Sequence, residues 1–164
     1  MVEGGTEARG ATRLWRSLFR IGVGVYWLYF AATKWPAPVG LPPSGLDWVH
    51  PIMIQVSRVD PLPGARELMA QVVLPNWQVF VIGETVAETL VGVLLILGLA
   101  TRPAAVLGTL LALGLSLTVA FANADVGLRW LYYLPVLATF EVFVNGAGSL
   151  AVERASLVPR WLSS

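Results

Sequence analysis

Four stretches of this chain are each long and apolar enough to cross ~30 Å of hydrocarbon as a helix, and that one feature sets the solvent in which the chain folds. They run over residues 14–35, 77–100, 103–122 and 128–150. Within lipid every backbone N–H and C=O must be bonded by the protein itself, which uninterrupted runs of this length achieve as helices. The rest of the composition agrees. Of 164 residues 56% are apolar and 13% charged, against roughly 25% charged in soluble domains. So short a chain has too little interior to hide that much apolar surface from water, and the excess faces the lipid bilayer. The expectation is an all-α, polytopic four-helix bundle in the membrane, forming a single domain over residues 1–164.

The first stretch has the shortest uncharged run, so Arg16 and Arg20 are expected to snorkel toward the headgroups. Tyr26, Trp27 and Tyr29 inside it, and Lys34-Trp35-Pro36 after it, favour a retained helix over a cleaved signal peptide. With four spans, Arg9, Arg13, Arg16, Arg20, Arg102, Arg154 and Arg160 fall on one side, and Lys34, Arg58, Arg66 and Arg129 on the other. Basic residues concentrate on the cytoplasmic side, which puts both termini in the cytoplasm and makes the chain a multi-pass protein of the plasma membrane. Trp35, Trp77, Trp130, Tyr132 and Tyr133 then gather at the outer boundary as an aromatic belt. Residues 36–76 form an outer loop holding eight of the eleven prolines. Ala65, Leu68, Met69 and Val72 recur there at helical spacing, predicting a short interfacial helix within an ordered cap. Thr101-Arg102-Pro103 reads as a tight turn that makes the second and third spans antiparallel neighbours. Gly22, Gly24, Gly83, Gly92, Gly108, Gly114, Gly146 and Gly148 offer surfaces for close helix packing.

The chain has no cysteine, which excludes a thiol nucleophile, a disulfide and an iron–sulfur cluster on it. A single histidine, His50, does not make a haem or metal site by itself, so neither metal nor haem is expected. A net charge of +1, scattered along the chain, gives nucleic acid no basic face to bind. What stands out is three carboxylates at bilayer depth, Glu84, Glu88 and Glu141, where each charge costs ~2.5 kcal/mol or more. Glu84 and Glu88 stand one helical turn apart on one face, with Gly92 a further turn along. Two such carboxylates repel unless one is protonated or a cation faces them. Arg20 is the depth-compatible cation on another span, so a buried pair of Arg20 with Glu88 or Glu141 is expected. Each carboxyl also has a plainer reading, as a hydrogen-bonding group that fixes packing. Tyr26, Trp27, Tyr29 and Phe30 read first as packing and belt residues, and also as flat walls for a quinone ring beside a buried acid.

At these residues the chain resembles the DoxX/DoxD family of small membrane proteins. The resemblance rests on Arg20-Ile-Gly22 with Lys34, on Glu88 with Gly92, Leu95, Gly98, Leu99, Thr101 and Arg102, and on Gly146-Ala-Gly148. It covers residues 16–155. Ser149 stands where the family's closing motif usually carries Arg, and Glu153 is the nearest acid beyond it. The long outer loop is similar to the DoxD branch, the membrane subunit of thiosulfate:quinone oxidoreductase. That resemblance implies a part in passing electrons from thiosulfate to a quinone, beside a small DoxA-like subunit or another redox enzyme. On this reading quinone is a substrate entering from lipid and Glu88 exchanges its proton. Glu84, Glu141, Arg20 and Tyr26 are further quinone-site candidates, and Lys34 or Arg129 at the outer face attracts the anionic donor. The rival reading is a non-catalytic scaffold that docks a redox enzyme through its outer loop. A homo-oligomer is compatible with either, and a lone transporter lacks the inverted repeats expected of one.

Overall fold

Where the sequence carries its long apolar runs the chain is helical. A computed structural model describes residues 3–123 and 125–152, and every regular element among them is a helix or helical turn. In chain order these are α1 (Glu3–Lys34), α2 (Val49–Val59), α3 (Pro63–Leu68), α4 (Trp77–Leu97), α5 (Thr101–Leu117), α6 (Val119–Ala122) and α7 (Val126–Asn145). Two helical stretches among the described residues, Pro63–Leu97 and Thr101–Phe121, are long and apolar enough to cross a membrane. Arg154, Arg160 and Glu153 lie outside the described residues.

Local chemistry sets the helix ends and corrects several expected boundaries. Pro63 opens α3, where its missing N–H costs nothing. The expected interfacial helix is not a separate piece, because α3 continues through a π turn (Met69–Val73) and a 3-10 turn (Leu74–Asn76) into α4. The turn between α4 and α5 comes earlier than Thr101-Arg102-Pro103. Gly98 takes the left-handed conformation (φ 66) that ends α4, and α5 starts at Thr101 with Pro103 still in its first turn. Asp125 caps α7 by accepting from the N–H groups of Gly127 and Leu128 at 2.7 and 3.4 Å. The last helix stops at Asn145, short of the expected 150, and the following segment folds back on α1, Leu150 N–H donating to Ser17 Oγ at 3.0 Å.

Helix α1 packs along α4 and α5 along α7, and the pairs meet through α4 with α5 and α1 with α7. Val23, Trp27, Val91, Leu95, Ala105, Ala112 and Val142 form the buried core between them. Backbones approach closely where α1 crosses α4: a Cβ on Gly24 would lie 2.9 Å from the Gly92 carbonyl oxygen, and one on Gly92 would lie 2.9 Å from that of Gly24. Gly22, Gly83, Gly114 and Gly146 are different. A Cβ on any of them would meet nothing within 4 Å, so the expectation that they pack helices together is not met.

A second apolar core lies under the segment that joins α1 to α4. One face of α2, Val49, Met53 and Val56, is buried with Met69 and Val73 of the π turn and Val81 of α4. Trp48 Nε1 donates to the Thr33 carbonyl at 3.0 Å and fastens this cap to the end of α1. The cap therefore holds an 11-residue helix that the prolines had obscured.

Candidate functional site

Because α1 and α4 run antiparallel with Gly24 pressed on Gly92, the end of α1 falls level with the first half of α4. Glu88 and Glu84 lie one and two turns beyond Gly92 on the same stripe. Lys34, the last residue of α1, reaches both: its Nζ donates to Glu84 Oε1 at 2.6 Å and to Glu88 Oε1 at 2.7 Å. The Glu88 side chain is 1% exposed, that of Lys34 6% and that of Glu84 20%. One ammonium is thus clasped by two carboxyls, and the least exposed group is Glu88.

This triad forms one wall of a cavity of about 530 Å³. Its other walls are almost entirely apolar: Phe30 from α1, Trp48 and the α2 residues Val49, Ile52 and Met53 above, Met69 and Val73 of the π turn, Val79 and Phe80 of α4, and Leu110, Leu111 and Leu115 of α5. Tyr132 of α7 adds a phenol. Glu88 Oε2 is buried and has no hydrogen-bond partner among the described residues. An oxygen so placed accepts a bond from a bound hydroxyl or, when its carboxyl is protonated, donates one to a bound carbonyl. With both carboxyls ionised the triad carries one net negative charge, and a single proton brings it to zero. The volume and lining match a small-molecule pocket with few convergent polar groups, typically about 300–1,000 Å³.

Of the residues expected at the site, Glu84, Glu88 and Lys34 come together and the others lie elsewhere. Lys34 is not a free cation at the outer face, since both carboxylates occupy it in the interior. Arg20 does not pair with Glu88 or Glu141. Its buried guanidinium donates to the carbonyls of Leu95 and Leu150, joining α1, the end of α4 and the segment after α7 at the opposite end of the molecule from the cap. The reason is helical rise. Arg20 and Lys34 stand about 20 Å apart along α1, and only the later one reaches the acids. Glu141 lies on α7 outside the cavity, its Oε1 accepting from Asn145 at 2.7 Å.

Tyr26 also stays outside the cavity, for a backbone reason. Pro135 interrupts α7 and has no N–H to give the Leu131 carbonyl one turn back, and the Tyr26 hydroxyl donates to that oxygen at 2.6 Å. Arg129 is half-buried near the start of α7, with Nε on the Asn123 carbonyl at 2.8 Å. Tyr132 and the α2 residues were not singled out in the sequence as site residues. By sequence Tyr132 reads as an aromatic-belt residue, while Val49, Ile52 and Met53 of the roof carry the helical spacing that marks α2.

The helices that are long and apolar enough to cross a membrane, together with a charged triad walling an apolar cavity, define an α-helical membrane protein with an internal ligand-sized site. A family model described as DoxX matches residues 16–121, from α1 through α6, and the chain belongs to that family. The match ends before α7 and the Gly146-Ala-Gly148 segment. Neither a curated protein nor a solved structure matches the chain.

Proposed function

We propose that this DoxX protein takes part in membrane redox chemistry and that its cavity receives the ring of a quinone. The observation that carries the reading is Glu88 Oε2, buried without a partner in the wall of an apolar cavity beside Lys34 and Glu84. Reduction of a quinone to a quinol takes up two electrons and two protons, and Glu88 hands on the two protons in succession where the ring oxygens lie, regaining a proton from water after each transfer. Glu84, the most exposed of the three, connects Glu88 toward the outer face. The electrons come from a donor that the DoxD resemblance identifies as thiosulfate. Oxidative coupling of two thiosulfates to tetrathionate releases the two electrons that the quinone accepts. The anion meets the half-buried Arg129 and not Lys34, whose charge is spent on two carboxylates.

All four long helices cross the plasma membrane on this reading, as a four-helix bundle with both termini in the cytoplasm. Arg13, Arg20 and Arg102 lie at the end of the molecule that holds the α4–α5 turn, and the cap with Arg58 and Arg66 lies at the other, in keeping with the positive-inside rule. A scaffold that docks a DoxA-like subunit or other redox enzyme is a second reading, favoured by the exposed apolar residues Val39 and Leu62 on the outer segment. The test is reduction of a soluble quinone by thiosulfate with purified protein in nanodiscs. Activity of the chain alone that falls at least about a hundredfold in Glu88→Gln supports the enzyme reading. Activity that appears only with an added subunit and survives Glu88→Gln supports the scaffold.

A further inference from the structure

Gly83 on α4 and Gly114 on α5 both line the cavity, and both are exposed. A Cβ on either would meet nothing within 4 Å, so neither is glycine in order to let helices touch. Helices α4 and α5 both run from the turn at 98–100, and at about 1.5 Å per residue both glycines lie roughly 20 Å from it, at one depth. Val79, Phe80 and Leu110 flank them on the cavity wall; Val79 is 71% and Leu110 61% exposed. The mouth of the cavity is therefore an apolar gap between the two helices of the stretches that are apolar enough to cross a membrane. Deeper in the same cavity lies the buried Glu88 side chain with its unpartnered Oε2.

We propose that the gap between α4 and α5 at Gly83 and Gly114 is a portal to the lipid, through which a long apolar tail runs while the ring it carries reaches Glu88. The inference rests on the quinone reading and adds to it the path of entry and the class of substrate, an isoprenoid-tailed quinone drawn from the bilayer. Absence of a side chain at these two positions leaves the width a tail needs. A leucine at either one fills the mouth from a site with no neighbour to displace, and spares the ring site around Glu88.

The test uses the full chain in nanodiscs. Binding of a long isoprenoid-tailed benzoquinone, and of the same ring bearing only a methyl group, is followed by quenching of tryptophan fluorescence, Trp48 being on the cavity wall. Gly83→Leu and Gly114→Leu are each expected to weaken the long-tailed quinone about tenfold or more and to leave the methylated ring within about twofold. Gly22→Leu, at an exposed glycine of α1 outside the cavity, is expected to change neither. Leu110→Trp narrows the same mouth and decides the matter if neither glycine variant folds. Equal effects on both probes, or none on either, overturn the portal while leaving the quinone site standing. Failure of the unaltered protein to bind either probe overturns the quinone reading and the portal with it.

Discussion

Lys34 is the residue on which the site turns. In low dielectric, removing one partner of a buried ion pair costs about 3–5 kcal/mol, because the remaining charge is left uncompensated. Lys34→Met leaves Glu84 and Glu88 facing each other and is expected to destabilise the protein by an amount of that order, read from thermal unfolding in detergent. Lys34→Met combined with Glu88→Gln removes the repulsion and is expected to recover a large part of the loss. Equal stabilities for the single and double variants would show that the ion pairs contribute little. The sequence marked the two acids because charges at that depth need a reason, and it marked their shared face through helical spacing. It did not reveal their cation. A lysine at the end of a span looks like a residue reaching for the headgroups, and only the register set by Gly24 against Gly92 turns it inward. Arg20 looked the better partner by depth, yet it answers backbone carbonyls at the other end of α1.

At the scale of elements, α7 is a helix repaired by its neighbour. Pro135 leaves the Leu131 carbonyl without its usual donor, and Tyr26 of α1 supplies one. Tyr26→Phe is expected to cost about 0.5–1.5 kcal/mol of stability, the net worth of one intramolecular hydrogen bond. Pro135→Ala restores an N–H to that carbonyl, so Tyr26→Phe is expected to cost less in its presence, with a coupling of at least about 0.5 kcal/mol in a double-mutant cycle of unfolding measurements. Additive effects would mean that the hydrogen bond does not carry the contact. The long helices were legible because apolar runs near the bilayer thickness leave the backbone little else to do. Helix α2 was not read as one, although Val49, Ile52, Met53 and Val56 recur at helical spacing, because Pro51 and the surrounding prolines mask a short period. Pro51 lies in the first turn of α2, where a missing N–H is harmless. The join of α3 to α4 was hidden for a related reason: residues up to 76 read as a proline-rich loop, but the chain passes Pro75 in a 3-10 turn and stays helical.

For the whole molecule, orientation and chemistry are separate matters. The absence of native cysteine makes single-cysteine labelling clean. On the proposed orientation Ser44→Cys, between α1 and α2, is expected to react with an impermeant maleimide on intact cells, and Gly10→Cys near the start of α1 only after permeabilisation; the reverse pattern would invert the protein in the membrane. The site joins elements distant in sequence: α1 contributes the cation, α4 the acids, α2 the roof and α5 the far wall. That convergence gives the assembly its meaning, since no single span encloses a cavity. The most direct test of its role is an infrared difference spectrum of the protein in nanodiscs with and without bound quinone. A carboxyl band that changes on binding in the unaltered protein and is missing from Glu88→Gln is the expected result. Quinone binding with no change in the carboxyl region would contradict a role for Glu88 in exchanging the proton.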